Sequence, residues 1–373
     1  MQRRKLLSVT GITLAGGAAT AYRLSRRPSD DDPDSSRVDD SQNDAKPDVS
    51  GDEGGDERTD SDDRTNSDDD DEQPQRDDEK SPPSIEDSEG MVVFTYDDSH
   101  IKDYTLTYRV HQEYDVPGCI AACPGTMLEQ DDFLDPEHLL EMHEDGWSVM
   151  SHTYRHRVLG RIRLTEPAPR GADRIYVEWN EHGAIEDDPL VVFDEDSRVS
   201  ASAAGRGSDS RGDYVELAEP LRESIDESGY VRYPQEFMRE VLEKTDETLE
   251  SWGIDVTGFV YTYDRYHGAV EDVVRDRYET VGNHRYGGGH NELDGLDPTT
   301  IRRLYIETDK STEREIDSFM ATAAEEDVLS VVGAHSFFET FDEERLRYTI
   351  ESAIENDLAI VTIDEALAEL GFQ

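Results

Sequence analysis

Residues 91–100 read MVVFTYDDSH, and this stretch carries the strongest fold signal in the chain. Six apolar or strand-forming residues are followed directly by two carboxylates, Asp97 and Asp98. A short apolar run of this kind is typical of a buried strand in a parallel sheet, where both faces are covered. We therefore predict a buried strand with two acidic side chains at its carboxyl end. Because adjacent strand residues point in opposite directions, the two carboxylates can serve different roles.

Short apolar runs recur along the chain, and patterns typical of helices lie between several of them. The runs are GCIAAC (118–123), WSVMSH (147–152), GFVYTY (258–263), YETVGN (278–283), VLSVVGAH (328–335) and LAIVTI (358–363). The helical patterns lie at 136–146, 234–253, 268–278, 299–308, 313–326 and 342–357. Strands that alternate with helices predict an α/β fold with a parallel sheet or barrel. The roughly 280 residues from Met91 onward suit one barrel, so we predict one domain over 91–373.

One segment, 158–233, departs from this alternation. The stretches IRLTEP, RIYVEW, LVVFDED and YVELAEP read as antiparallel strands joined by turns rich in Gly, Asp and Ser. Loops at the C-terminal rim of a barrel tolerate insertions and often carry function. We therefore predict a β-rich insertion on one of these loops.

The first 90 residues lie outside the predicted barrel. Residues 1–27 contain Arg3 and Arg4 followed by a weakly apolar run, which is the pattern of a twin-arginine export signal. Residues 28–90 are almost all small, polar or acidic, which predicts a disordered linker. We therefore expect a protein that is exported by the twin-arginine route and is extracellular or associated with the cell envelope. An uncleaved signal would tether the domain to the membrane.

The chain is strongly acidic, with 89 Asp and Glu residues, 37 Lys and Arg residues and a formal net charge of −52. Most of the acidic residues lie after residue 90, so the predicted barrel is itself anionic. Self-repulsion of this size opposes folding in dilute buffer but is screened in concentrated salt, where the Debye length is about 3 Å at 1 M. We interpret the composition as that of a halophile; the alternative is an acidic secreted protein from ordinary salt. We expect no nucleic-acid partner, because phosphate binding requires clustered Lys and Arg.

The only two cysteines, Cys119 and Cys123, lie in the run GCIAACPG. In a strand, residues four apart point the same way but lie about 13 Å from each other, which is too far for a disulfide bond. We therefore expect two buried free thiols rather than a disulfide or a metal pair.

Three of the predicted strands end in residues that can carry chemistry. Asp97 and Asp98 follow the first strand, His152 and His156 follow another, and His335 ends a third. If the chain turns helically after His152, the two imidazoles share a face and form, with one carboxylate, a metal site of two histidines and one acid. Each feature alone is common in structural roles. Their joint occurrence at carboxyl ends of strands, where barrel active sites lie, favours a catalytic site.

The motifs TYDDS (95–99), HTYRH (152–156) and VVGAHS (331–336) resemble the first, second and last motifs of the polysaccharide deacetylase family, carbohydrate esterase family four. The resemblance covers 91–156 and 235–373 and points to an exported, haloarchaeal-type member. It implies a distorted (β/α)7-type barrel, here with a β-rich insertion.

The resemblance also implies a role for each motif residue. Asp98, His152 and His156 correspond to the metal ligands of the family, Asp97 to its general base and His335 to its general acid. The implied cofactor is one divalent ion, for which the family favours zinc. A site of histidine and carboxylate also suits cobalt, nickel or manganese.

The third motif of the family departs from its usual pattern in this chain. The arginine that orients the base in the family corresponds to Val260, and Arg265 and Arg285 are candidate substitutes. Tyr263 matches the tyrosine of that motif, which lies near the oxyanion and substrate site.

Two further departures lie in the first and fourth motifs. Ser99 stands where the family prefers glycine, which is costly if the turn requires a positive φ. No Asp/Trp fourth motif is evident in RYGGGHNELDGLDP (285–298).

The sequence therefore predicts a metal-dependent hydrolase that removes N-acetyl or O-acetyl groups from an envelope or extracellular glycan, acting on carbon–nitrogen bonds other than peptide bonds. The altered third motif favours an alternative, a catalytically weak or inactive envelope protein that binds metal and carbohydrate. A third interpretation is a structural envelope protein that uses only the fold.

Overall fold

The structure is a computed structural model, and it describes residues 81–266, 268–282 and 288–372. The predicted export signal, 1–27, and most of the predicted linker, 28–90, lie outside these residues. Across the described part of the chain, no helix combines the length and the apolar character that a membrane span requires.

Strands and helices alternate over most of the described chain. In chain order, the strands β1 to β15 are Gly90–Asp97, Cys119–Ala122, Ser148–Ser151, Ile162–Arg163, Arg174–Val177, Pro189–Phe193, Arg198–Asp209, Gly212–Leu217, Tyr230–Arg232, Val256–Val260, Val281–Gly282, Asn291–Glu292, Leu304–Tyr305, Val328–Ala334 and Leu358–Val361. The α-helices α1 to α8 are Arg109–Tyr114, Pro124–Glu129, Pro136–Glu144, Gln235–Ser251, Ala269–Arg275, Glu313–Glu325, Glu343–Glu355 and Ile363–Glu369. A π-helical segment, Asp103–Tyr108, precedes α1.

Seven parallel strands form a curved sheet in the order β11-β10-β3-β2-β1-β14-β13. β1 is central and largely buried, as its apolar sequence requires. The segment that leads into β13 approaches the other outer strand, β11: the Ile301 N–H donates to the carbonyl oxygen of Val281 at 3.0 Å. β15 pairs with the first half of β1, and β12 adds an antiparallel edge to β14. The predicted α/β fold, a distorted (β/α)7-type barrel, is confirmed.

A second sheet of six antiparallel strands follows β3, in the order β4-β9-β6-β7-β8-β5. It spans residues 162–232 and is the β-rich insertion that the sequence predicts within 158–233. The core of this sheet is continuous with buried residues of α4, α5 and β10, such as Met238, Val270 and Phe259. The insertion therefore packs onto the barrel through a shared apolar core.

Two predictions about local structure have opposite outcomes. Cys119 and Cys123 are buried free thiols, as predicted. The helix predicted over 299–308 is wrong, because the chain there is extended and forms β13 after a 3-10 turn at Pro298–Thr300. The parallel ladder of Leu304 and Tyr305 with β14 prevails over the helical pattern.

Candidate active site

The predicted site residues come together at the carboxyl ends of the parallel strands. Asp97 is the last residue of β1, and Asp98 follows it. His152 comes directly after β3, and His335 comes directly after β14. Tyr263 lies in a short turn after β10. The sheet thus assembles in space residues that lie far apart in sequence.

Asp98, His152 and His156 form a cluster that can hold a metal ion, with one donor atom from each residue within 4.8 Å of the others. Asp98 Oδ1 lies 3.3 Å from His152 Nε2 and 2.9 Å from His156 Nε2. Ligand atoms that are each about 2.1 Å from one zinc ion lie within about 4.2 Å of one another. Both of these separations therefore fit ligands that share one ion.

The donor set itself fits a divalent cation. Asp98 Oδ1 is buried and lacks a hydrogen-bond partner, which is costly unless a cation binds there. The other ring nitrogen of His152, Nδ1, lies 2.8 Å from the carbonyl oxygen of Val260. A hydrogen bond from Nδ1–H leaves the lone pair on Nε2 directed toward Asp98, which is the usual arrangement of a metal-ligating histidine. Burial raises the pKa of Asp98, but the imidazoles of His156 and His152, when protonated, outweigh burial and hold that pKa well below its usual range. A cation bound between neutral imidazoles would act in the same direction.

The backbone around the cluster is held in left-handed conformations at residues other than glycine. Asp98 has a φ of 80°, Ser99 of 63°, Thr153 of 66° and His156 of 52°. Conformations of this kind cost energy and concentrate at functional sites. The Ser99 hydroxyl oxygen accepts the N–H of Cys123 at 2.9 Å. Serine in the place of the family's glycine therefore bears the strain of a positive φ but supplies a buried hydrogen bond.

Asp97 pairs with Arg303. Arg303 Nη1 donates to Asp97 Oδ1 at 2.9 Å, and Nη2 donates to Oδ2 at 2.5 Å. Asp97 is 1% exposed and Arg303 is 2% exposed, so the pair is almost completely buried. Burial raises the pKa of Asp97, but the charge and hydrogen bonds of Arg303 outweigh it and hold the pKa below its usual range. Asp97 is thus kept ionised.

Arg303 supplies the guanidinium group that the third motif lacks at Val260. Arg303, rather than Arg265, is the partner of Asp97 among the described residues, and Arg285 lies outside them. Arg303 Nη1 also donates to the Thr95 hydroxyl at 2.6 Å. The guanidinium group is therefore fixed from the strand that carries Asp97 as well as from its own strand.

Glu307 orients His335, although no sequence motif singles out this glutamate. Glu307 Oε1 accepts hydrogen bonds from the His335 backbone N–H at 3.0 Å and from the ring Nδ1 at 2.8 Å. Nε2 then faces the site, 3.9 Å from Asp97 Oδ2. Burial lowers the pKa of His335, but the hydrogen bond to Glu307 and the charges of nearby carboxylates outweigh it and raise the pKa to about 9.

Tyr263 lies against the metal cluster. The centroid of its ring is 4.3 Å from that of His156. Its backbone is left-handed, with a φ of 57°, and the ring is half-buried. Tyr263 therefore lies beside the cluster, and its contact with a substrate or oxyanion stays a prediction.

Comparison with known proteins gives a partial match. Residues 84–175 match the family model described as polysaccharide deacetylase. The match includes Asp97, Asp98, His152 and His156, whereas His335 lies beyond it. No curated protein matches the sequence.

Solved structures with detectable similarity are distant in sequence. The Xyl-CE4 domain of a multidomain xylanase from the hindgut metagenome of Trinervitermes trinervoides is 12% identical, with a TM-score of 0.41 over 76% of this chain and 91% of that chain. The chitin deacetylase of Colletotrichum lindemuthianum is 12% identical, with a TM-score of 0.43 over 77% of this chain and 88% of that chain. A family 4 acetyl xylan esterase from Clostridium thermocellum, in complex with a cobalt ion, is 11% identical, with a TM-score of 0.41 over 76% and 93%.

A signal for the two residues that were missed is present in the sequence. Arg303, Tyr305 and Glu307 alternate with Leu304 and Ile306. Alternation of polar and apolar residues is the pattern of a strand with one apolar face. The apolar pair packs into the core beneath the barrel, and the three polar residues interact with the site.

Proposed function

We propose that this protein is a metal-dependent hydrolase that removes acetyl groups from an acetylated glycan. The observation that carries the proposal is the separation of two adjacent carboxylates into different environments. Asp98 lies between two imidazoles, and Asp97 lies between a buried guanidinium group and His335. One carboxylate is arranged as a ligand and the other as a base. The match of residues 84–175 to the polysaccharide deacetylase family supports this chemistry.

Asp98, His152 and His156 would hold the metal ion, for which zinc fits a donor set of two imidazoles and one carboxylate. When bound, a divalent ion would supply a Lewis acid that polarises an acyl carbonyl and acidifies water. The hydrogen bond between His152 and Val260 would keep that imidazole in the ligating tautomer.

The residues of the chain can carry the proton transfers of acetyl hydrolysis. Arg303 keeps Asp97 ionised. The carboxylate of Asp97 accepts a proton from the attacking water while the water oxygen bonds to the acyl carbon. His335, protonated at Nε2, gives a proton to the leaving nitrogen or oxygen as the acyl bond breaks. The products are acetate and a free amine or hydroxyl group on the sugar. Tyr263 lies beside the cluster and can contact the substrate or the developing oxyanion.

The hydrogen bond between Glu307 and His335 predicts a specific pH dependence. Because His335 acts in its protonated form, activity is present below its pKa and falls as the pH rises through about 9. Glu307→Gln keeps a hydrogen-bond acceptor but removes a charge that raises this pKa. We expect the alkaline limb of the profile of kcat/KM against pH to move down by about one unit or more. Glu339→Gln, an exposed change in the loop that carries His335, is the control and should leave the limb in place. An unmoved limb in Glu307→Gln would show that His335 is not the acid.

The direct test of the function is release of acetate from acetylated oligosaccharides in high salt. N-acetylated and O-acetylated oligomers should both be offered to the metal-loaded protein, because the site can protonate a nitrogen or an oxygen leaving group. Turnover that Asp97→Asn abolishes supports the proposal. Absence of acetate from every acylated glycan by the loaded wild-type protein would refute it.

The alternative, a binding protein without turnover, rested on Val260. Since Arg303 provides a bidentate partner for Asp97, that observation no longer favours an inactive site. Asp97→Asn still separates the two functions, because a binding protein would lose no turnover and would keep its affinity for the glycan.

We further propose that the protein is exported and works in concentrated salt. The basis for export is the pair Arg3 and Arg4 before an apolar run, and the basis for halophily is the net charge of −52. If self-repulsion limits stability, the temperature of unfolding should rise steadily from about 0.2 M to above 2 M KCl as screening increases. The expected measurement is a series of thermal melts in KCl. Greatest stability below about 0.2 M salt would exclude the halophilic interpretation.

A further inference from the structure

A tryptophan of the insertion extends the aromatic wall of the site. Trp179 lies between β5 and the 3-10 turn Glu181–Gly183. Its ring centroid is 4.5 Å from that of Tyr263, with the planes at 79°. Tyr263 in turn lies 4.3 Å from His156. The rings of His156, Tyr263 and Trp179 therefore form a continuous row from the metal cluster to the insertion.

The segment that follows Trp179 is fixed within the insertion by two hydrogen bonds. Asn180 Nδ2 donates to the carbonyl oxygen of Gly207 in β7 at 2.9 Å. The ring of the buried residue His182 contacts the carbonyl oxygen of Val158 through Nε2 at 3.0 Å. The position of Trp179 within the insertion is thus set before any substrate binds.

An ion pair connects the insertion to the barrel at the point where the insertion begins. Arg157 binds both carboxylate oxygens of Asp188, at 2.7 and 3.0 Å. The carbonyl oxygen of Arg157 accepts the hydroxyl group of Thr262, the residue before Tyr263, at 2.7 Å. The insertion and the turn that carries Tyr263 are therefore held together, as a preorganised binding wall requires.

Trp179 and Tyr263 both pack against the core of the insertion and are half-buried, so part of each residue is accessible to a ligand. An indole ring offers a large rigid apolar surface, and the apolar C–H face of a sugar ring is complementary to it. Binding sites for small molecules are typically lined by aromatic side chains with a few polar groups that fix orientation. The excess of carboxylates in the chain disfavours an anionic glycan, most strongly at low salt. The suitable ligand is therefore a sugar ring without negative charge.

We propose that Trp179 and Tyr263 form a platform for the neutral sugar residue next to the one that is deacetylated. This inference rests on the proposed function. Because Tyr263 contacts His156 and Trp179 contacts Tyr263, a sugar at the metal would lie nearer Tyr263 and its neighbour nearer Trp179. An oligosaccharide would therefore gain contacts with Trp179 beyond those of a single sugar. The insertion would thus make the enzyme selective for polymeric over monomeric substrates.

The test compares a variant that keeps an apolar side chain at position 179 with one that keeps an aromatic ring there. Trp179→Leu should raise KM for an acetylated oligosaccharide about tenfold, with kcat and the rate on a small acetyl ester nearly unchanged. Trp179→Phe should restore most of the affinity. Trp252→Leu, which removes a half-buried tryptophan at the end of α4, is the control. Equal losses on the oligosaccharide and the small ester would assign Trp179 a structural role and overturn the inference.

Direct binding separates this inference from the proposed function. Calorimetric titration of wild type, Trp179→Leu and Trp252→Leu with the same oligosaccharide requires no turnover. Weaker binding in Trp179→Leu alone supports the platform, even if no acetate is released and the proposed function fails. Unchanged binding in Trp179→Leu rejects the platform, even if the wild type is an active deacetylase.

Discussion

Replacing Arg303 by methionine is expected to lower the free energy of unfolding by about 3–5 kcal/mol, because Asp97 would remain buried without its charged partner. Asp97 could then avoid an unpaired charge only by taking up a proton. A protonated carboxyl group cannot act as a base, so we also expect kcat to fall by about 10²–10⁴-fold. The measurements are denaturant unfolding and acetate release.

The control for this change is Arg302→Met in the adjacent residue. Arg302 is partly exposed, and its backbone N–H bonds to Asn291. Its replacement removes the same charge from the same strand without uncovering Asp97. If the two variants are equally stable and equally active, the buried pair of Asp97 and Arg303 does not support the base.

The second large effect concerns the metal. Asp98→Asn is expected to lose the bound ion and all measurable turnover, whereas Asp97→Asn should lose turnover and retain the ion. Changes to groups that merely orient metal ligands cost about 10–100-fold in affinity, so loss of a direct ligand should cost more. The measurement is metal content after dialysis, made on both variants at matched protein concentration.

The two variants differ only in which of the adjacent carboxylates, Asp97 or Asp98, is neutralised. Both changes remove one negative charge from neighbouring buried positions. Equal retention of metal in the two variants would show that Asp98 is not a ligand. Loss of metal in both would show that the cluster depends on the net charge of the site rather than on one carboxylate.

Much of the barrel can be predicted from the sequence because its strands are short apolar runs that end in polar residues. Asp97, Asp98, His152 and His335 are predictable for that reason, since the carboxyl ends of parallel strands converge. The metal cluster requires one further local fact, the turn from His152 to His156. The structure makes that turn with left-handed residues rather than with the helical turn considered from the sequence.

The sequence does not single out Arg303 and Glu307, because the pattern over 299–308 also predicts a helix. The apolar residues Ile301 and Leu304 are three positions apart, a spacing that a helical period also accepts. Interpreted as a strand, the same segment places Arg303 and Glu307 on one face. Their partners could still not be named, because Arg303 and Asp97 are 206 residues apart in sequence. Only the order of strands brings them together.

The strand order of the insertion likewise cannot be predicted from the local sequence. Its strand character is visible in the sequence, but β7 and β9 were not predicted, and the order of its six strands is not written in any local pattern. The contact between Trp179 and Tyr263 depends on that order and on the ion pair of Arg157 with Asp188. Tertiary packing decides such contacts.

The most direct test of the central claim is acetate release from an acetylated oligosaccharide as metal is returned to the dialysed protein. We expect no activity without metal and a rise that saturates at one equivalent of a divalent ion. Activity that survives complete removal of metal, or its absence at full loading with every acetylated glycan, would contradict a metal-dependent deacetylase.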